Sequence, residues 1–168
     1  EPEVQDLYEM GVVARVKQVL KLPGDTVRVL ATGICRAHLL QYFDEAQMRL
    51  ARILEISEPE TGDTIRSEAQ VRTMVALFER YARRSNKLSP ETMLIANEVK
   101  EAGKLADLLA GNVLVRVEDK QRILEAVNLD ERVTALIEVL AREIEIVGLE
   151  AEISQGVKKE MEKSQREY

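Results

Sequence analysis

The sequence predicts an α+β fold: a partial antiparallel β subdomain followed by an α-helical bundle that ends in a long extended helix. Three observations predict it. Residues 1–57 hold valine-rich runs separated by turn residues, the pattern of short strands. Beyond Glu58-Pro59-Glu60-Thr61-Gly62, which reads as a linker, apolar residues recur at three- and four-residue spacing, the helical period. The final stretch, residues 130–168, contains no proline and reads as helix almost throughout. The domains expected are therefore a partial β subdomain over 1–57 and a helical subdomain over 58–168.

In chain order, residues 12–22 and 26–32 are β runs, and Leu22-Pro23-Gly24-Asp25 carries the turn residues of a hairpin. A third run, 34–43, follows Gly33. A fourth, 47–56, alternates Met48, Leu50, Arg52, Leu54 and Ile56 against Arg49, Ala51, Ile53 and Glu55. The four form a meander. Along the second run Val27, Val29 and Ala31 share one face and Arg28 and Leu30 the other, because strand side chains alternate. With the valine face as core, Leu30 is an apolar residue on the outer side beside an arginine; the alternative is that both faces are covered.

The helical period begins with Ile65, Val71, Met74, Val75, Leu77, Phe78 and Tyr81, one amphipathic helix ending near Arg84. Ser89 caps the next helix, with Pro90 at its first position, where the missing N–H is not needed; it runs to about Val99. Residues 102–110 form a helix that stops at Gly111-Asn112. Residues 113–117 are β-branched enough for propensity to favour strand, and 118–127 return to helix. Asp130 stands as the cap of the last helix, where Val133, Ile137, Leu140, Ile144 and Val147 form one buried face. After Val157 little except Met161 and Tyr168 remains apolar among Lys158, Lys159, Glu160, Glu162, Lys163, Arg166 and Glu167. At ~1.5 Å per residue this stretch is a rod of roughly 58 Å. Its first half is expected to dock on the bundle and its second half to stand free. Gly148 and Gly156 each cost about 1 kcal/mol relative to alanine and permit a bend.

Composition excludes several function classes. The chain has 168 residues and a net charge of −6, which argues against broad electrostatic binding to nucleic acid. Aromatic residues make up 4% with no tryptophan, little material for base-stacking platforms. No apolar run is long enough to span a bilayer and no signal-peptide pattern is present, although Glu1 follows no initiator methionine. Cys35 is the single cysteine and His38 the single histidine, so neither a cysteine zinc site nor a histidine-pair metal site can form. In a strand these two point to opposite faces, which leaves Cys35 a small core residue and His38 a structural or surface one. Gly103-Lys104 lacks the upstream glycine and the following hydroxyl of a P-loop. The carboxylate pairs Glu143 with Glu145 and Glu150 with Glu152 read as solvated helix face.

Three blocks carry a family likeness. Lys21-Leu22-Pro23-Gly24-Asp25-Thr26-Val27-Arg28-Val29-Leu30, then Gly33 and Arg36-Ala37, resembles the hairpin of the N-terminal domain of bacterial Lon, the ATP-dependent protease. Asp119-Lys120-Gln121-Arg122-Ile123-Leu124-Glu125 matches the family's pattern further on. Val157-Lys158-Lys159-Glu160-Met161-Glu162-Lys163-Ser164-Gln165-Arg166-Glu167-Tyr168 is similar to the helix leading toward Lon's ATPase module. The hairpin departs once: the family usually has Pro-Asp-Gly or Pro-Asn-Gly where this chain has Pro23-Gly24-Asp25.

The resemblance implies a substrate-recognition fragment. Further strands and a helix are expected before Glu1, and ATPase and Ser-Lys protease modules after Tyr168, so no catalytic residue, cofactor or metal is carried over. ATP and magnesium belong to the ATPase module. The implied partners are unfolded or tagged proteins and, in the full-length protein, five further copies in a homo-hexamer; the implied location is the cytoplasm, with neither membrane nor nucleic acid as partner. Because unfolded chains offer apolar side chains, the expected contacts are unburied apolar groups: Leu30 beside Arg28, Met161, and Tyr168. The competing role for Met161 is helix packing between subunits, and the competing function is a purely structural oligomerisation or spacer module.

Overall fold

Alternating valine-rich sequence becomes a three-stranded antiparallel sheet in the order β1-β2-β3: β1 is Met10–Leu22, β2 Thr26–Glu45 and β3 Met48–Ile56. The computed structural model describes residues 3–45, 48–58, 64–85 and 88–167. The second and third β runs are one strand of 20 residues, not two. Gly33 does not break it, because a register shift at Val13/Ala14, opposite Ile34, absorbs the irregularity as a bulge and the strand continues. Further shifts fall at Val16/Gln18 and Leu39/Gln41. The fourth run begins at Met48; Gln47 and most of the expected linker lie outside the described residues. Glu58 is described, and its Oε1 accepts from Nη1 of the buried Arg36 at 2.7 Å.

Five helices follow: α1 Thr64–Arg84, α2 Pro90–Glu98, α3 Ala102–Val113, α4 Val117–Glu125 and α5 Leu129–Glu167. The chain divides into two compact units, Glu1–Pro59 and Glu60–Tyr168. The Ser89 hydroxyl accepts from the Thr92 amide at 3.2 Å with Pro90 opening α2, as the sequence reads. Propensity fails at residues 113–117. Val113 is the last, buried residue of α3 and Val117 the first of α4, because closing the bundle gains more than a lone strand with no partner. For the same reason α3 passes through Gly111-Asn112 instead of stopping there.

The cap of α5 is Asn128, not Asp130: its Oδ1 accepts from the Glu131 amide at 3.2 Å. Asp130 lies inside the first turn and points to α1. Its Oδ1 accepts from Arg66 Nε at 2.9 Å and from Gln70 Nε2 at 2.6 Å. Arg66 beside Asp130 holds its carboxyl below the ordinary aspartate value. The Arg132 side chain is 0% exposed; Nε donates to the Ala126 carbonyl at 2.9 Å and Nη2 to the Val127 carbonyl at 3.3 Å, with Asp107 at 3.6 Å. A cation thereby closes the chain leaving α4, where helix carbonyls lack partners.

The apolar core lies in the helical unit, with Met74, Phe78, Leu105, Leu109, Leu136 and Leu140 among its fully buried side chains. Ile65, counted on the buried face of α1, is exposed at that helix's first turn. On α5 burial ends at Val147 and every described side chain from Leu149 to Arg166 is exposed, so the docked half ends before the apolar pattern thins at Val157. α5 is continuous through Gly148 and Gly156. Glu143 corrects the solvated-face expectation: it is buried, with Arg142 Nη2 3.7 Å from its Oε1, and the same guanidinium pairs with Asp119.

Candidate functional site

β1 and β2 continue beyond β3 as a two-stranded ribbon. β3 ends at Ile56 opposite Arg36, whereas β1 and β2 pair onward to Leu22 opposite Thr26. Pro23, Gly24 and Asp25 close the ribbon, with Gly24 at φ +82° and Asp25 at +56°. Left-handed backbone favours glycine first and aspartate or asparagine next, so this order serves the turn although it departs from the usual one.

Pairing sorts the ribbon's side chains. Leu20 opposite Arg28, Leu22 opposite Thr26, and Leu30 opposite Gln18 share one face. Val19 opposite Val29, Lys21 opposite Val27, and Val16 opposite Ala31 share the other. Leu30 is 59% exposed, and Arg28 beside it is exposed as well. The valine face is equally open, with Val29 at 51% exposed, so it is not the core. Parity identifies which residues share a face but not what lies over it. Among the described residues of the sheet unit, Met10 and Ala37 are the buried apolar side chains. Cys35, read as core, is half-buried; His38, on the opposite face, stands with Nε2 3.5 Å from a Glu9 oxygen.

Met161 is 61% exposed. It is less isolated than its charged neighbours suggest, because exposed Ile146, Leu149, Ile153 and Val157 precede it at helical spacing along α5. Leu30 and Arg28 thus belong to one surface and Met161 to another in the second unit; Tyr168 lies outside the described residues. Sequence reading missed Leu20 and Leu22 on the ribbon and Leu149, Ile153 and Val157 on the helix. Counting pairs outward from the Pro23-Gly24-Asp25 turn would have placed both leucines beside Arg28.

Among the described residues, no group of three or more histidine, cysteine, aspartate or glutamate side chains gathers as a metal site, and no helix is long and apolar enough to cross a membrane. What the ribbon offers chemically is apolar contact and the positive charge of Arg28, and what the free half of α5 offers is apolar contact among charges of both signs.

Comparison with known proteins agrees with this geometry. The Lon protease of Heliobacterium modesticaldum is 42% identical over 168 residues, 100% of this chain and 20% of that protein. Lon protease 1 of Bacillus subtilis is 35% identical, again over 100% of this chain and 22% of that protein. The chain therefore spans about a fifth of the length of these curated relatives. The solved N-terminal domain of Mycobacterium avium complex Lon protease shares the fold with a TM-score of 0.67 at 23% identity, covering 83% of this chain and 74% of that one. A family model described as the substrate-binding domain of ATP-dependent protease La (LON) matches residues 1–142, and the chain belongs to that family.

Proposed function

We propose that this chain is the non-catalytic substrate-recognition region of an ATP-dependent Lon-type serine protease that degrades misfolded and regulatory proteins. It catches unfolded or tagged polypeptide on exposed apolar side chains and passes it toward an ATP-driven pore. The observation that carries the reading is the ribbon, where leucines and valines lie open on both sides of two paired strands. Unfolded chains expose the same kind of surface, and each apolar Å² that contact removes from water contributes about 25 cal/mol. Leu30 and Arg28 are the contacts on the sheet, and Met161, flexible and exposed, is the contact on α5. Tyr168 is a further contact in this reading. ATP and magnesium would act in the ATPase module of the parent protein, and this chain itself would take no cofactor. The setting is cytoplasmic, in a homo-hexamer, with neither membrane nor nucleic acid as partner.

A second reading rests on the α5 stripe. Ile146, Leu149, Ile153, Val157 and Met161 recur at the spacing by which helices pair, which suits subunit packing and a spacer role with substrate bound elsewhere. Leu30→Ala and Met161→Ala separate the two. Each is expected to weaken capture of an unfolded protein by about tenfold, the loss of one well-placed contact, while circular dichroism stays unchanged. Unchanged capture by both variants overturns the proposal; loss of self-association alone in Met161→Ala favours the second reading.

A further inference from the structure

α1 and α5 run side by side in the same direction, and the two ends of their contact differ. At the start, Arg66 Nε donates to Asp130 Oδ1 at 2.9 Å. The same number of residues further along both helices, Arg84 in the last turn of α1 lies over Gly148. There the arginine meets bare backbone. A Cβ built on Gly148 would stand 3.1 Å from Arg84 Nη1, tighter than ordinary contact, so the missing side chain is what lets the guanidinium lie against the helix. Gly156 differs: nothing comes within 4 Å of its Cβ position, and no close approach calls for a glycine there. Gly148 also follows directly on Val147, the last buried side chain of α5 among the described residues. The pair is thus tied at its beginning, and its loose end falls on a residue that holds a helix poorly.

We propose that Gly148 is a pivot in α5 and that Arg84 is the pin that holds it straight. Helical backbone opens more readily at glycine than at alanine, because glycine loses more conformational freedom on being ordered. Sharp bends in helices gather at such positions. With the guanidinium seated, its arm blocks a bend toward α1, and α5 runs through Gly148 unbroken, as the structure shows. With the guanidinium displaced, that side is clear. Arg84 is exposed and its charge sits at the end of a flexible side chain, so it leaves the seat at little cost. Arg132 makes the contrast, being buried and bonded to two carbonyls. The place also suits a cation, since the last turn of α1 presents carbonyls that lack helical partners. The pivot is set by contacts inside the helical unit, ahead of the half of α5 that it turns. It therefore does not depend on what that half meets further along, nor on where substrate binds.

The test places spin labels on Ala69 of α1 and Ser154 of α5, both exposed, in a Cys35→Ser background, and reads the distance between them. Ser154 lies beyond Gly148 and short of Gly156, so the measurement senses one glycine only. A straight α5 sets the labels about 32 Å apart along the helix axis. The unchanged chain should show that distance together with a second, bent population. Gly148→Ala should leave the straight population alone, and Arg84→Ala should enlarge the bent one. Gly148→Ala should also slow amide exchange over residues 149–152 by about fivefold, the difference in helix propensity between the two residues. Gly156→Ala, and Arg83→Ala on the same exposed last turn of α1, should leave the distance distribution unchanged. A single narrow distribution in the unchanged chain, or a bent population that survives Gly148→Ala, overturns the pivot. A distribution that Arg84→Ala leaves as it was, or that Arg83→Ala broadens equally, overturns the pin.

Discussion

The helical unit and the sheet unit draw on similarly apolar sequence and treat it in opposite ways. Phe78, Leu105 and Leu136 vanish from solvent within the bundle, whereas Val16, Val19, Val29 and Leu30 remain open on the ribbon. Helices bring stripes together from several directions, so a bundle closes on itself. A three-stranded sheet has two faces and two edges, and among the described residues of this unit it buries Met10, Arg36 and Ala37. The difference teaches that stability lives in the bundle, while the recognition role proposed for this chain falls to the ribbon.

The largest contrast is between equivalent truncations in the two units. Phe78→Ala empties a fully buried site and should cost about 3–5 kcal/mol in denaturant unfolding of the helical unit. Val29→Ala removes half-exposed atoms and should stay within about 0.5 kcal/mol. Similar losses from both would erase the distinction. Next comes Arg132→Ala, which leaves the carbonyls of Ala126 and Val127 without their buried partner and should destabilise the bundle by about 3 kcal/mol. The smallest effect concerns Asp130. Its pKa is lowered in the folded protein, so the stability it contributes is present above the ordinary aspartate value and is lost as pH falls through the lower folded one. Asp130→Asn should therefore match the parent protein in acid and fall slightly behind it near neutrality. The check is the pH dependence of the thermal midpoint; a constant difference across that range would refute the linkage.

Much of the architecture is legible in the residues. Leu22-Pro23-Gly24-Asp25 marks the hairpin and Ser89-Pro90 marks the start of α2, whereas burial on α5 ends at Val147 although its apolar spacing runs on to Val157. Other features depend on contacts that local pattern does not encode. Ile34 is absorbed as a bulge, so β2 stays one strand through Gly33. Asn128 and Asp130 are both good caps, and only the presence of Arg66 and Gln70 on α1 draws Asp130 away. Glu143 is buried on the stripe it shares with Leu136, Leu140 and Val147, with Arg142 beside it. At the site, parity placed Leu30 with Arg28, yet Leu20 and Leu22 join them through cross-strand register, which a single run does not reveal.

The central claim is that polypeptide substrate meets the ribbon of the sheet unit. Single cysteines placed along residues 28–32 and along 157–166, in a Cys35→Ser background, can be cross-linked to an unfolded protein and mapped. The account predicts the strongest cross-links on residues 28–32, with a lesser set near Met161; cross-links confined to 157–166, or none at 28–32, would contradict it.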